Sequence, residues 1–242
     1  MKWILLSLSL LVAGSQSVRA VLPEGCEQII LGIADSWDAT EAQLTGYVRV
    51  NGQWEMDLFP WDTRLGANGM AWGRGLHPVP EGARSKVEGD GRAPAGAFRL
   101  GDAYGYTASI EKQAPLQYHQ VTESDLWVED ASSPHYNRHL KLEMPPQTEW
   151  EKKQQMRQND PAHRLKLFIH HNAYPDIQPG SGSAIFFHVW RDDGKRATAG
   201  CTVMPYEQLA ALIRWVHPDR KPVFVLLPRS VYRDVREAWD LP

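Results

Sequence analysis

Asn51-Gly52 stands between two strand-like runs, 43–50 and 53–59, and it constrains the chain more than any other pair of residues. Both residues accept positive φ, so this dipeptide is the strongest short signal for a two-residue β-hairpin. Three further apolar runs have strand length and β-branched or aromatic content: 27–34 (EQIILGIA), 184–190 (AIFFHVW) and 222–228 (PVFVLLP). A fourth, 164–172 (RLKLFIHHN), alternates before turning apolar, as a strand does on entering a sheet. Helical periodicity is clearest in one place. Leu209, Leu212, Ile213 and Val216 recur at the spacing of one helix face, with Pro205 at its start and Pro218 past its end. A short exposed helix is expected over 149–158 and a second amphipathic one over 229–242. The seventeen prolines suit a loop-rich domain. The expected fold is mainly β with short helices.

Other stretches read as connections. Residues 65–76 are glycine-rich without phosphate-loop spacing, and are expected to form a tight, exposed link with Trp72 against the core. In 86–100, Glu88-Gly89-Asp90-Gly91 and Pro94-Ala95-Gly96 read as turns, with a strand starting at Ala97. Lys86 and Arg92 are expected to be solvent-facing turn charges. Residues 117–158 read as an inserted excursion walling a cleft, with Tyr118, Trp127, Asp130, Tyr136 and Asn137 along it.

Residues 1–20 carry an early Lys2, an apolar core from Ile4 to Ala13 and small residues up to Ala20. This is the pattern of a secretory signal peptide, and the apolar run is too short to span a bilayer. The remaining ~222 residues suit a single domain, 21–242, with the 117–158 insertion. The expected location is the periplasm, with no stable membrane insertion after cleavage. A formal net charge of −3 with no basic stripe argues against a nucleic-acid partner. A monomer is expected.

The chemistry-bearing stretch is 183–205. It has a buried strand carrying His188, a polar loop, and Thr198-Ala199-Gly200-Cys201 before the periodic helix. This reads as a hairpin-like element that brings a thiol near an imidazole. A free thiol ionises near ~8.5, so it needs a base to become a nucleophile. His188 is the base nearest in sequence, and a backbone oxygen such as that of Val189 is expected to orient its ring. Gly200 admits unusual backbone angles, and the Gly200 and Cys201 N–H groups are candidate oxyanion donors. The following helix is expected to lend its N-terminal dipole to a thiolate. The rival readings are zinc held by His170, His171, His188 and Cys201, and a Cys26–Cys201 disulfide. Adjacent histidines on a strand face opposite ways, and no HExxH motif occurs. No metal or other cofactor is therefore expected.

At these residues the chain resembles the YkuD-type L,D-transpeptidase family. His188 matches that family's histidine, and Thr198, Gly200 and Cys201 its Ser/Thr-x-Gly-Cys motif. Residues 92–98 (RAPAGAF) are similar to its TPxGxF strand entry. The usual histidine before Gly-Cys is Ala199 here, and Thr202-Val203 follow in place of the usual Arg or Asn. The resemblance implies a catalytic β-sheet domain and a cysteine-dependent acyltransferase acting on peptidoglycan stem peptides. It would form 3-3 or 1-3 cross-links, with catalytic residues Cys201, His188, Gly200 and Thr198. From their positions, His171, Asn172, Tyr174 and Arg191 are expected to contact the stem peptide. The alternatives are an L,D-carboxypeptidase or other amide hydrolase on the same substrates, and a non-catalytic wall-binding module with a Cys26–Cys201 disulfide.

Overall fold

The computed structural model of the chain describes residues 21–242. The leader expected over 1–20 lies outside the described residues. Twelve strands carry the fold: β1 (Gln28–Ala34), β2 (Glu41–Val50), β3 (Gln53–Arg64), β4 (Met70–Trp72), β5 (Ala93–Gly105), β6 (Tyr118–Gln120), β7 (Asp125–Trp127), β8 (His139–Lys141), β9 (Leu165–Ile169), β10 (Phe186–Val189), β11 (Thr202–Met204) and β12 (Val223–Pro228). The helices are short: α1 (Glu149–Gln154), α2 (Tyr206–Trp215) and α3 (Arg229–Val235). None of the described helices is long and apolar enough to cross a membrane.

The strands lie in the order β12, β1, β2, β3, β11, β10, β9, β5, β4. β12 also pairs with β5, Val223 opposite Arg99 through Leu226 opposite Gly96. That pairing joins the two ends of the path, so the strands from β12 round to β5 close into a ring with β4 and β6 at its margin. Closure removes most exposed edges, which an open sheet would have to protect. The Asn51-Gly52 hairpin forms as expected, with both residues at positive φ and β2 and β3 antiparallel.

The two glycine-rich stretches differ from expectation. Segment 65–76 is mostly buried, and it supplies β4, parallel to the start of β5. Its glycines permit backbone-to-backbone contact rather than exposure. A Cβ on Gly69 would lie 2.2 Å from the Trp37 carbonyl oxygen, and one on Gly66 2.4 Å from that of Gly91. β5 begins at Ala93, so Pro94-Ala95-Gly96 is strand and not turn. Pro94 is tolerated because the bonds to the β4 side use its neighbours. The Ala93 N–H donates to Gly69 O, and Ala95 O accepts from Gly73 N–H.

Strand alternation divides the interior into clusters. Phe187 and Val189 of β10, with Leu167 and Ile169 of β9, point into the main core beside Leu209, Leu212 and Ile213 of α2. Phe187 packs on Phe224 of β12 at 4.6 Å between ring centroids. The alternate residues Phe186 and Phe168 face outward, into a second apolar cluster with Trp127, Val121 and Met156 of the insertion. A third cluster, around Trp72, Trp239 and β12, holds Cys26. Phe187 is fully buried directly behind the strand that carries His188. Phe187→Ala is expected to cost about 3–5 kcal/mol of stability, read from urea unfolding midpoints.

Candidate active site

β10 and β11 are parallel neighbours, with Phe187 opposite Thr202 and His188 opposite Val203. The thiol and imidazole are therefore delivered by a parallel pair rather than the expected hairpin. The connection between them is long and contains a short 3-10 turn, Asp192–Gly194, as parallel pairing requires. By the same register Cys201 falls beside Phe186, on the outward face that His188 shares. On the next strand, Lys166 lies opposite His188 and Phe168 opposite Phe186. A cleft of about 380 Å³ opens over this face, lined by Cys201, His188, His163, Lys166 and Thr198 among others. Trp127, Glu129 and Met156 of the insertion line its outer side.

The turn before Cys201 is internally braced. The Thr198 hydroxyl donates to Cys201 O at 2.7 Å and accepts from Gly200 N–H at 3.0 Å. Thr198 is also bonded through its backbone to Leu65 O and Ala67 N–H, so the buried glycine-rich segment buttresses it. Gly200 has φ 152°, and a Cβ there would meet Arg92 O at 2.8 Å and Lys86 Nζ at 3.3 Å. Because its N–H is bonded to Thr198, Gly200 is not a free oxyanion donor in this conformation. The helix dipole expectation also changes. β11 stands between Cys201 and α2, so the thiol is not at the helix terminus.

Cys201 Sγ donates to Ala184 O at 3.3 Å and accepts from Phe186 N–H at 3.5 Å. Burial pushes the thiol above its ordinary value, against the pull of the Phe186 N–H, Lys166 and Lys86. His188 is buried, and its Nδ1 donates to Val189 O at 2.8 Å. That bond fixes the proton on Nδ1 and leaves Nε2 as the basic nitrogen. Desolvation lowers His188 to about 4; the Val189 bond opposes this, while Lys166 and Arg191 reinforce it. At neutral pH the ring is an uncharged base. Thiol and imidazole are not hydrogen-bonded to each other in this resting arrangement, a looseness common in unliganded sites.

The expected substrate contacts divide. Arg191 lines the cleft, but its guanidinium is bonded to Asp160 Oδ2 through Nε at 2.9 Å and through an Nη, and the same Nη reaches His163 Nε2 at 3.1 Å. It braces His163, whose ring lies 4.8 Å from that of His188. His171 and Asn172 do not reach the cleft. His171 is fully buried, between Arg74 N–H and Ser181 O. The Asn172 amide holds the 178–182 loop through Gln178 O and Gly182 O. Tyr174 is exposed in a separate depression of about 440 Å³, and Arg138 lies over its ring. His170 lines that depression too, so the four proposed zinc ligands do not converge. Cys26 and Cys201 are both free, in different clusters. Lys86 is buried and paired with Asp90 at 2.7 Å, not solvent-facing. Arg92 is half-buried beside Asp38. His163 and Lys166 were not anticipated. Strand alternation from His170 back through Phe168 to Lys166 was the available signal for the lysine.

With this geometry in place, comparison with known families is decisive. The model of the YkuD-type L,D-transpeptidase catalytic domain matches residues 41–225. The chain belongs to the L,D-transpeptidase family. Two solved structures of the helical cell shape determining protein Pgp2 from Campylobacter jejuni, one a point mutant, are similar at 15% identity and a TM-score of 0.40. Each covers 84% of this chain, and this chain spans about half of theirs, 47% and 48%. No curated protein sequence matches significantly. In this L,D-transpeptidase domain the family's histidine and Gly-Cys positions fall on one sheet face, and the cleft above them is walled by residues of the 117–158 insertion.

Burial of uncharged imidazoles sets an acid limit. Desolvation lowers His77 and His188 to about 4, and His163 and His171 to about 3, from an ordinary 6.5. Between those values the unfolded chain binds more protons than the folded one. Their contribution to stability is therefore complete above about pH 6.5 and lost as pH falls towards 4 and 3. Thermal unfolding midpoints are expected to hold from pH 8 to 7 and drop steeply from 6 to 4.

Proposed function

We propose that this domain is a peptidoglycan L,D-transpeptidase with Cys201 as its nucleophile. The observation that carries the reading is the shared face of β10 and the start of β11. There a cysteine thiol and an uncharged, backbone-oriented histidine open onto one walled cleft. Cys201 sulfur attacks the carbonyl of the L-centre in a stem tetrapeptide donor. His188 Nε2 takes the thiol proton and returns it to the amine of the departing D-residue. The thioester is then resolved by an amine of a neighbouring stem, giving a 3-3 or 1-3 cross-link. This two-step route replaces one hard amide exchange with two easier ones. The Cys201 N–H is the candidate oxyanion donor, and the Thr198 hydroxyl holds the turn that aims it. A cell-wall substrate and the leader-like residues 1–20 both fit a periplasmic location.

The test is incubation of the mature protein with a disaccharide-tetrapeptide, with products resolved by mass spectrometry. Cross-linked dimers are expected from the wild type. Cys201→Ala should lower product by more than about 10³-fold. His188→Gln should lower it by about 10²–10⁴-fold, the usual worth of a positioned acid–base group. Tripeptide without dimer would make the protein the hydrolase instead. Equal products from Cys201→Ala would end the reading.

A further inference from the structure

The resting site leaves the Cys201 thiolate short of positive support. Its sulfur is desolvated. The dipole of α2 lies beyond β11, and such effects fade within about one helical turn. His188 is a poor counter-charge, because it is buried and already faces two cations, Lys166 and Arg191. An imidazolium–thiolate pair would place a third positive charge among them.

Lys166 is placed to supply what is missing. It is 5% exposed, on β9, in register with His188 and on the face that Phe168, Phe186 and Cys201 share. Its Nζ lies 5.3 Å from the centroid of the Phe186 ring, and the N–H of that same Phe186 donates to Cys201 Sγ. Of the other cleft cations, Lys86 is bonded to Asp90 and Arg191 to Asp160. Among the described residues, Lys166 has neither a hydrogen bond nor a salt bridge. An ammonium at the end of a mostly buried side chain, with no acceptor from the protein, favours a nearby anion. The titratable groups that face it are Cys201, His188 from β10, His163 from a second 3-10 turn (Pro161–His163), Arg191, and Glu129 and Glu88 from the cleft rim. Glu88 is exposed and accepts from the Tyr136 and Ser183 hydroxyls, while Glu129 stands at the rim, its carboxyl raised by burial and pulled down by Lys166. Cys201 is the one that lies on the same sheet face as Lys166.

We propose that Lys166 is the counter-ion of the Cys201 thiolate, a positioning residue that supports the nucleophile's negative charge while His188 carries the thiol proton on to the leaving amine. This rests on Cys201 being the nucleophile. Once His188 has taken the thiol proton, the Lys166 ammonium stands on the same sheet face as the thiolate. Burial pulls Lys166 down to about 8, while Cys201 and Glu129 pull it up.

The test needs no cell-wall substrate, so its failure is separable from failure of the proposed activity. The rate of iodoacetamide alkylation of Cys201 is measured against pH by peptide mass mapping. Cys26, pushed up to about 11 by burial, serves as an internal reference. In Lys166→Met the inflection should rise by about one unit or more, lowering the rate at pH 7.5 about tenfold. Lys166→Arg should restore the rate to within about threefold. Should Lys166→Met fail to fold by circular dichroism, the reciprocal measurement decides. In Cys201→Ser, the Lys166 ammonium, followed by ¹³Cε NMR, should titrate at lower pH than in the wild type. An unchanged alkylation profile in folded Lys166→Met overturns the proposal, as does unchanged Lys166 titration in Cys201→Ser. A raised KM for the donor with an unchanged thiol profile also overturns it, and assigns Lys166 to a substrate carboxylate.

Discussion

The pairing of β12 with β5 is the constraint on which the rest of this molecule depends. β12 arrives late in the chain, after α2, yet it sits between the first strand and the middle of the longest one. Its six residues are buried throughout, a pattern that suits a strand covered on both faces. By closing the ring it gives β9, β10 and β11, each already flanked on both edges, an inner and an outer face. The inner face is committed to the core through Leu167, Phe187 and Val189. Only the outer face is left for chemistry, and there the same alternation places Lys166, His188 and Cys201.

Much of this was legible in the sequence, for identifiable reasons. The Asn51-Gly52 turn, the apolar run of β12 and the helical face of Leu209, Leu212 and Ile213 are local patterns, and local patterns survive folding. His188 and Cys201 stood out as candidates because a histidine, a polar loop and a Gly-Cys pair lie close along the chain, and both line one cleft. Other features depend on neighbours distant in sequence. Pro94 reads as a turn until β4 is known to lie alongside it. The glycines of 65–76 read as exposed until Trp37 and Gly91 are seen pressed against them. His171 and Asn172 read as ligands because they end a strand. The structure uses their side chains to hold a loop, and only partners from elsewhere in the chain reveal that. Lys166 went unread because a lone lysine in a strand ordinarily points to solvent, and nothing local shows that the preceding insertion folds back over that face.

The electrostatics of the cleft follow from its depth. Two of the cleft's cations are neutralised in pairs, Lys86 with Asp90 and Arg191 with Asp160. Burial works against the Asp90 carboxyl, yet the Lys86 bond and the Val87 and Arg92 amides hold it below its ordinary value. Deeper in, the histidines are stripped of charge by desolvation, and the closeness of the tilted His163 and His188 rings reinforces their neutrality. The division suits a reaction whose proton carrier must begin empty.

One side chain in the insertion makes four hydrogen bonds that tie it together and to the sheet. Asn137, buried at positive φ, donates to the carbonyls of His171 and Asn172 and accepts from Trp127 Nε1 and Ala184 N–H. Its amide is fully used, and it ties the wall to the ends of the two strands that bear the chemistry. Tyr136, bonded to Glu88, adds a strut across the cleft. Such fastening makes the wall a graft on the sheet: it gains its place from carbonyls at the strand ends and from Phe168 and Phe186 beneath it, so its position is set by the barrel and not by its own short elements.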